Sequence, residues 1–378
     1  MIDTILTLSK KEFKQIYRDK RTMYTLIFIP SFMLIMFGYA LNFDIKHVPM
    51  AVYDMDRSQD SRSFIDNFIN TEYFTLHSYV NSGMEIDKLM NREKIKLGIV
   101  IPSGFADKLL SRQAPVIQVI VDGSNSNSAS TVVGYTNNII QQYSINIMVQ
   151  SLMKIGKTKI TLPIDFRPRV WYNPELKSTR FLIPGLIGFI LLIITVITTS
   201  LSIVREKERN TIEQIIVSPI SPFELIAGKT LPYIFISLIA SILVMLASYI
   251  LFGIYIKGSY ILLFIITLIF LTGTLGMGLL ISTIAETQQV AFLLSVLSTL
   301  LPAFLLSGFV FPIRNMPVAI QVITYVLPVR YYLVVLRNII LKGSGLYAYW
   351  DQVLFLIGFA VLMLGVSSIR LAKSLNKK

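Results

Sequence analysis

Residues 205–229 read REKERNTIEQIIVSPISPFELIAGK, a charged, proline-punctuated insert between two long apolar segments. Upstream, 181–204 holds no Asp, Glu, Lys or Arg, and downstream 230–256 is equally free of them. Each run exceeds the roughly 20 residues that a helix needs to cross a bilayer core. The insert therefore reads as a short polar loop joining two membrane helices. Four further charge-free runs occupy 22–43, 258–285, 287–313 and 352–369, the last near the minimum spanning length. The fold class expected is an α-helical polytopic membrane protein with six transmembrane helices. Composition agrees, since 53% hydrophobic residues, 15% charged residues and a mean hydropathy of +0.63 lie far from the average soluble domain.

Orientation follows from Lys and Arg in the short segments. Residues 1–21 carry six, the 205–229 loop four and the tail after Ile369 four, whereas the opposite short segments carry five. Both termini and the loop are thus expected to be cytoplasmic, in a prokaryotic cytoplasmic membrane. The formal charge of +13 is spread over membrane flanks instead of forming one stripe, so nucleic-acid binding is not expected. Anionic lipid headgroups account for it better. With no Cys and only His47 and His77, the chain has no disulfide framework and no metal-ligand spacing. The first apolar run is too long for a signal-peptide core and is expected to remain as the first span.

The remaining organisation follows from pattern. Residues 1–21 place Ile5, Leu8, Phe13, Ile16 and Tyr17 among lysines, as in a basic amphipathic interfacial helix or a plain charged flank. Spans are expected at 22–43, 179–204, 230–256, 258–285, 287–311 and 350–370, with a cytoplasmic tail at 371–378. Residues 44–178 form an extracytoplasmic domain in which β-like runs at 48–53, 97–101 and 116–121 alternate with helix-like stretches at 58–69, 83–92, 105–112 and 129–154. This predicts an inserted mixed α/β domain, followed by an extended return path shaped by Pro163, Pro168 and Pro174. Residues 312–348 are broken by Pro312 and Pro317 and are expected to form outer re-entrant or interfacial helices. There Arg330 and Arg337 stand seven residues apart on one helical face, placed to meet an anionic substrate or lipid headgroup at an outer gate, or to snorkel to the interface.

The spans lack internal ionisable residues, which disfavours a self-powered ion-driven carrier. The tetrapeptide AGKT at 227–230 imitates the end of a P-loop, but Phe223 stands where the first Gly belongs and a membrane helix follows. Energy must come from a partner. The 205–229 loop suits that role: Asn210 with Glu213, and Ser221 with Pro222 and Glu224, are two helix-capping signatures separated by Ser218 and Pro219. Ile212, Ile215, Ile216 and Val217 add an apolar patch, and 205–209 adds mixed charge for a partner surface.

The run REKERNTIEQIIVSPISPFELIAGKTLPY resembles the coupling segment of the ATP-binding-cassette type 2 permeases. AVYDMDRSQDSRSFIDNF at 51–68, VIVDGSNSNSA at 119–129 and LLSGFVFPIRNMP at 305–317 resemble the exporter-like branch of that family with a large outer domain. Asn210 departs from the Gly common in the family, but Asn tolerates the same left-handed backbone. The resemblance implies a non-catalytic permease working as a homo- or heterodimer, with two cytoplasmic ATPase subunits that hold ATP and Mg. The ATPase-coupling positions implied are Arg205, Glu206, Glu208, Asn210, Thr211, Glu213, Pro219, Pro222 and Glu224. It further implies a substrate path between the two permease chains, lined by the second and fifth spans, and outward, multidrug-type export of an amphipathic drug, antibiotic or lipid-like molecule. Membrane lipids and a periplasmic adaptor are further candidate partners. The alternative is a membrane sensor, or an envelope-anchoring protein that uses the outer domain without moving cargo.

Overall fold

The computed structural model describes residues 2–41, 46–111, 113–153, 171–173, 177–209 and 221–376. The chain divides into two compact units, one of Met1–Phe43 with Arg169–Lys378 and one of Asp44–Pro168. The prolines expected to extend the return path (Pro163, Pro168, Pro174) lie outside the described residues.

The first unit begins with α1 (Ile2–Arg18) and α2 (Lys20–Ala40), continues with α7 (Ser178–Glu208), α8 (Pro222–Phe252), α9 (Tyr260–Ile284) and α10 (Gln288–Leu306), and ends with α11 (Val318–Thr324), α12 (Pro328–Arg337) and α13 (Trp350–Asn376). Helices α2, α7, α8, α9, α10 and α13 are long and apolar enough to cross a membrane, and they coincide with the six charge-free runs. The chain is thus a multi-pass membrane protein.

Helix α7 is apolar on every side, so it takes the centre of the bundle. Of its hydrophobic stretch 89% is buried within the chain, against 17% for α13. Helices α2, α8, α9, α10 and α12 all pack on it. The side chains from Leu182 to Val196 are covered by the chain's own helices. By contrast α10, only 22% buried, keeps an exposed apolar face.

Close approach comes from small residues. A Cβ on Gly278 of α9 would fall 2.7 Å from the Val196 carbonyl oxygen of α7, so the two backbones touch there. Hydroxyls join helices across the apolar interior: Ser200 and Ser295 Oγ lie 2.7 Å apart, Thr267 Oγ1 and Tyr332 Oη lie 2.8 Å apart, and Ser367 donates to the Gly276 carbonyl at 2.8 Å. Helices α11 and α12 with its continuation to Lys342 meet at 85°, a broken or re-entrant pair in the region expected for one, with Pro328 at the first turn of α12.

The second unit carries β1 (Val48–Asp54), α3 (Gln59–Ile69), β2 (Phe74–Tyr79), α4 (Gly83–Asn91), β3 (Leu97–Ile101), α5 (Phe105–Leu110), β4 (Gln118–Val121) and α6 (Ser126–Met153). Its sheet has the order β2-β1-β3-β4, parallel except between β3 and β4. Successive strand residues face opposite sides. Met50 and Val52 of β1 accordingly join Phe64 and Phe68 of α3, while Ala51 joins Ile86 of α4. Strand β2 was not expected from sequence: it is an edge strand with only Phe74 buried, and its Thr, His and Ser weaken the apolar signal.

Candidate functional site

Within the charged run, the structure describes Arg205, Glu206, Glu208 and Glu224 among the expected coupling positions, and the backbone at Pro222. Asn210, Thr211, Glu213 and Pro219 lie outside the described residues, as does the first of the two expected capped pieces. The second piece is built as expected. Ser221 caps α8 by accepting from the Glu224 amide at 3.3 Å, while the Glu224 carboxylate accepts from the Ser221 amide at 2.9 Å and from its hydroxyl at 2.8 Å, with Pro222 in the first turn.

The last turn of α7 is a hub. Because an α-helix advances about 100° per residue, four consecutive side chains point to four different elements. Arg205 donates to Asp19, between α1 and α2, at 2.8 Å. Glu206 turns to Lys229 of α8. Lys207 donates to the Ser282 carbonyl at 2.5 Å and the Ala285 carbonyl at 3.4 Å, covering the C-terminal carbonyls of α9. Glu208 accepts from the Gln288 amide, at the start of α10, at 2.7 Å. A cation on a helix C-terminus and an anion on a helix N-terminus each match the local dipole.

At the centre of the hub lies a buried ion cluster. Lys229 Nζ donates to Glu12 Oε1 at 3.3 Å and to Glu206, with side-chain exposures of 6%, 2% and 6% in the order Lys229, Glu12, Glu206. Lys11, half exposed, stands 3.6 Å from Glu206. Two carboxylates thus meet two ammonium groups, the balance that a low-dielectric setting requires. Around it α1 is pressed onto α8: Ser9 donates to the Gly228 carbonyl at 3.0 Å, a Cβ on Gly228 would fall 2.6 Å from Leu8 Cβ, and the Phe13 and Phe235 rings meet edge-on at 5.6 Å.

Sequence reasoning missed Glu12 and the role of Lys229. Glu12 shares the i, i+4 stripe of Leu8 and Ile16, so a carboxylate on the apolar face of α1 was the available signal. The P-loop imitation at 227–230 is also explained, because the Lys229 ammonium is committed to buried carboxylates.

The two outer-gate candidates are held by their own chain. Arg330 donates to Thr324 and lies over the Tyr325 ring at 3.9 Å. Arg337 donates to the Gly308 carbonyl at 3.1 Å and lies over the Phe181 ring at 3.8 Å. In the second unit, the paired aspartates of the 51–68 stretch organise turns. Asp54 accepts from the Asp56 and Arg57 amides at 3.0 and 2.9 Å, and Asp56 accepts from the Phe105 and Ala106 amides at 2.9 and 3.1 Å, capping α5. The DGSNSN run forms a turn in which Asp122 accepts from the Ser124 amide at 3.0 Å and Asn125 accepts from the Ser128 amide at 3.1 Å at the start of α6.

A family model described as ABC-2 family transporter protein matches residues 20–369. The chain is 35% identical over 373 residues to the probable multidrug ABC transporter permease YbhS of Escherichia coli strain K12, covering 98% of this chain and 97% of that one. It is 32% identical over 352 residues to the probable multidrug ABC transporter permease YbhR of the same strain, covering 93% and 94%. Its identity to the inner membrane transport permease YhhJ of that strain is 27% over 378 residues, covering 98% of each chain.

Proposed function

This chain belongs to the ABC-2 transporter family as the membrane permease subunit of an ABC transporter, and from that premise we propose that it couples ATP hydrolysis on two separate cytoplasmic ATPase subunits to outward transport of an amphipathic compound across the inner membrane. It works with a second permease chain. The hub end of the bundle and both termini face the cytoplasm, and the Asp44–Pro168 unit lies outside. The relatives named as multidrug permeases support the substrate class, and the excess of Lys and Arg at the hub end supports the orientation.

The observation that carries the coupling role is the α7 hub. A push on the 210–220 segment reaches the capped start of α8, and through Lys229 and Glu206 it reaches both α1 and the central helix α7. Arg205, Glu206 and Glu224 act in this reading as transmission struts, while Asn210, Thr211, Glu213 and Pro219 supply contact with the ATPase. Packed elements that share a charge cluster move as one body, and α7 packs against α2, α8, α9, α10 and α12 besides its ion-pair contact with α1, so a small displacement is distributed through the bundle.

Affinity purification from native membranes in mild detergent tests this. The wild type is expected to retain an ATPase chain that a folded Glu213→Lys/Glu224→Lys variant loses, and the reconstituted wild-type complex is expected to export a fluorescent amphipathic dye only with ATP. A stable wild-type preparation without any ATPase would instead support the sensor or anchor reading.

A further inference from the structure

Beside the buried cluster, α1, the α1–α2 corner, the end of α7 and the start of α10 enclose an open cavity of about 740 Å³. Lys11, Lys14, Arg18, Arg205 and Arg209 line it, with Asp19 as its carboxylate and Gln288 at its α10 edge. Asp19 is bonded to Arg205 and Lys11 faces Glu206. Lys14, Arg18 and Arg209 are exposed and have no acidic partner among the described residues. Three cations with no acidic partner among the described residues converge on one concavity and repel one another, which favours an anion among them. The multiple donors of Arg further suit the oxygens of a phosphate.

We propose that this cavity binds the phosphodiester headgroup of an anionic phospholipid from the cytoplasmic leaflet. Its depth favours a lipid over a soluble anion. Asp19 leads directly into the α2 span, Arg209 directly follows the α7 span, and Gln288 opens the α10 span, so the cavity stands where the apolar segments end and headgroups reside. Helices α2 and α10 both start at its rim. They present exposed apolar side chains farther along, Phe28 and Phe32 on one and Leu293 and Leu297 on the other, against which acyl chains can lie. The bound headgroup neutralises the face of the hub next to Lys11 and Glu206, tying the α1–α7 contact to the composition of the leaflet. This inference rests on the proposed function only in assigning the hub end to the cytoplasmic side.

Purified full-length protein in a non-ionic detergent is titrated with short-chain phosphatidylglycerol, with phosphatidylcholine of equal chain length and with inorganic phosphate, and bound species are read by native mass spectrometry. The wild type is expected to bind phosphatidylglycerol in preference to both other ligands. A Lys14→Gln/Arg18→Gln/Arg209→Gln variant is expected to bind it at least about tenfold more weakly. A Lys88→Gln/Lys94→Gln/Lys108→Gln variant, with the same net charge but altered in the other unit, is expected to match the wild type. Equal binding by the pocket variant, equal loss in the control, or phosphate binding as tight as the lipid's would each overturn the proposal. The same preparations are offered the partner ATPase. Loss of the ATPase with retention of the lipid in the pocket variant makes the cavity a protein seat and also overturns it. Absence of ATPase from every preparation with the lipid pattern intact supports the lipid site and counts against the coupling reading alone.

Discussion

A lysine buried between two glutamates holds its place only while all three charges are present. Lys229→Met leaves Glu12 and Glu206 buried without the ammonium that bridges them. Breaking such a cluster from one side is expected to cost about 3–5 kcal/mol, read as a lowered thermal midpoint in detergent. Removing the opposing charges as well, in Lys229→Met/Glu12→Leu/Glu206→Gln, is expected to recover most of that loss, because an apolar replacement of a buried ion pair is often neutral. No recovery would mean that packing, not charge, carries the effect. In the other unit, the Ser58 side chain together with the Ala106 and Phe105 amides holds the Asp56 carboxyl below its ordinary 3.8. A depressed folded value means that the bonds stabilise the unit above pH 3.8 and lose their effect as pH falls through the lower folded value. The protection factor of the 105–106 amides, exchange measured against the intrinsic rate at each pH, is therefore expected to fall on acidification below about pH 4 in the wild type and to show no such fall in Asp56→Asn.

At the scale of elements, α1 has sequence features of a helix lying in the interface, yet it is docked on α8. Its basic face and its apolar stripe were both legible in the sequence, and what they packed against was not. Docking depends on Gly228, where a Cβ would meet Leu8 Cβ at 2.6 Å. Gly228→Val is accordingly expected to lift α1 from α8, and limited proteolysis should then cut within 2–18 while the rest of the bundle stays resistant. Unchanged resistance would show that α1 is held without this close approach. The capped start of α8 is a milder case. Ser221→Ala removes the side-chain half of the capping box, while the amide at 221 still donates to Glu224; it is expected to lower stability by about 1 kcal/mol and to weaken ATPase-dependent export, whereas Ser221→Asp, which also caps, is expected to retain it. Export lost equally in both variants would point to a direct contact of the serine with the ATPase instead.

On the scale of the whole molecule, a chain without cysteine offers a clean test of orientation. Single cysteines at Ser63, Lys10 and Lys373, all exposed, are treated in intact cells with a membrane-impermeant maleimide. Labelling is expected at position 63 alone, and at 10 and 373 only after the membrane is opened; labelling of 10 or 373 in intact cells would reverse the assigned topology. The family, the six spans and the capped entry to α8 could be read from the chain by itself, because charge-free length, helix-cap chemistry and the coupling motif are local properties of consecutive residues. Strand β2 escaped that reading because an edge strand buries too little to pattern its residues. Only the tertiary structure decided that α7 is enclosed by the chain's own helices, that Lys11, Glu12, Glu206 and Lys229 form one charge-balanced cluster in which Glu12 and Lys229 stand 217 positions apart in sequence, and that Lys14, Arg18 and Arg209 share one cavity. Residues so far apart in the chain become electrostatic partners only when helix packing brings them within a few ångströms, and a Coulomb energy depends on that distance and on the surrounding dielectric, neither of which is written in the order of the residues.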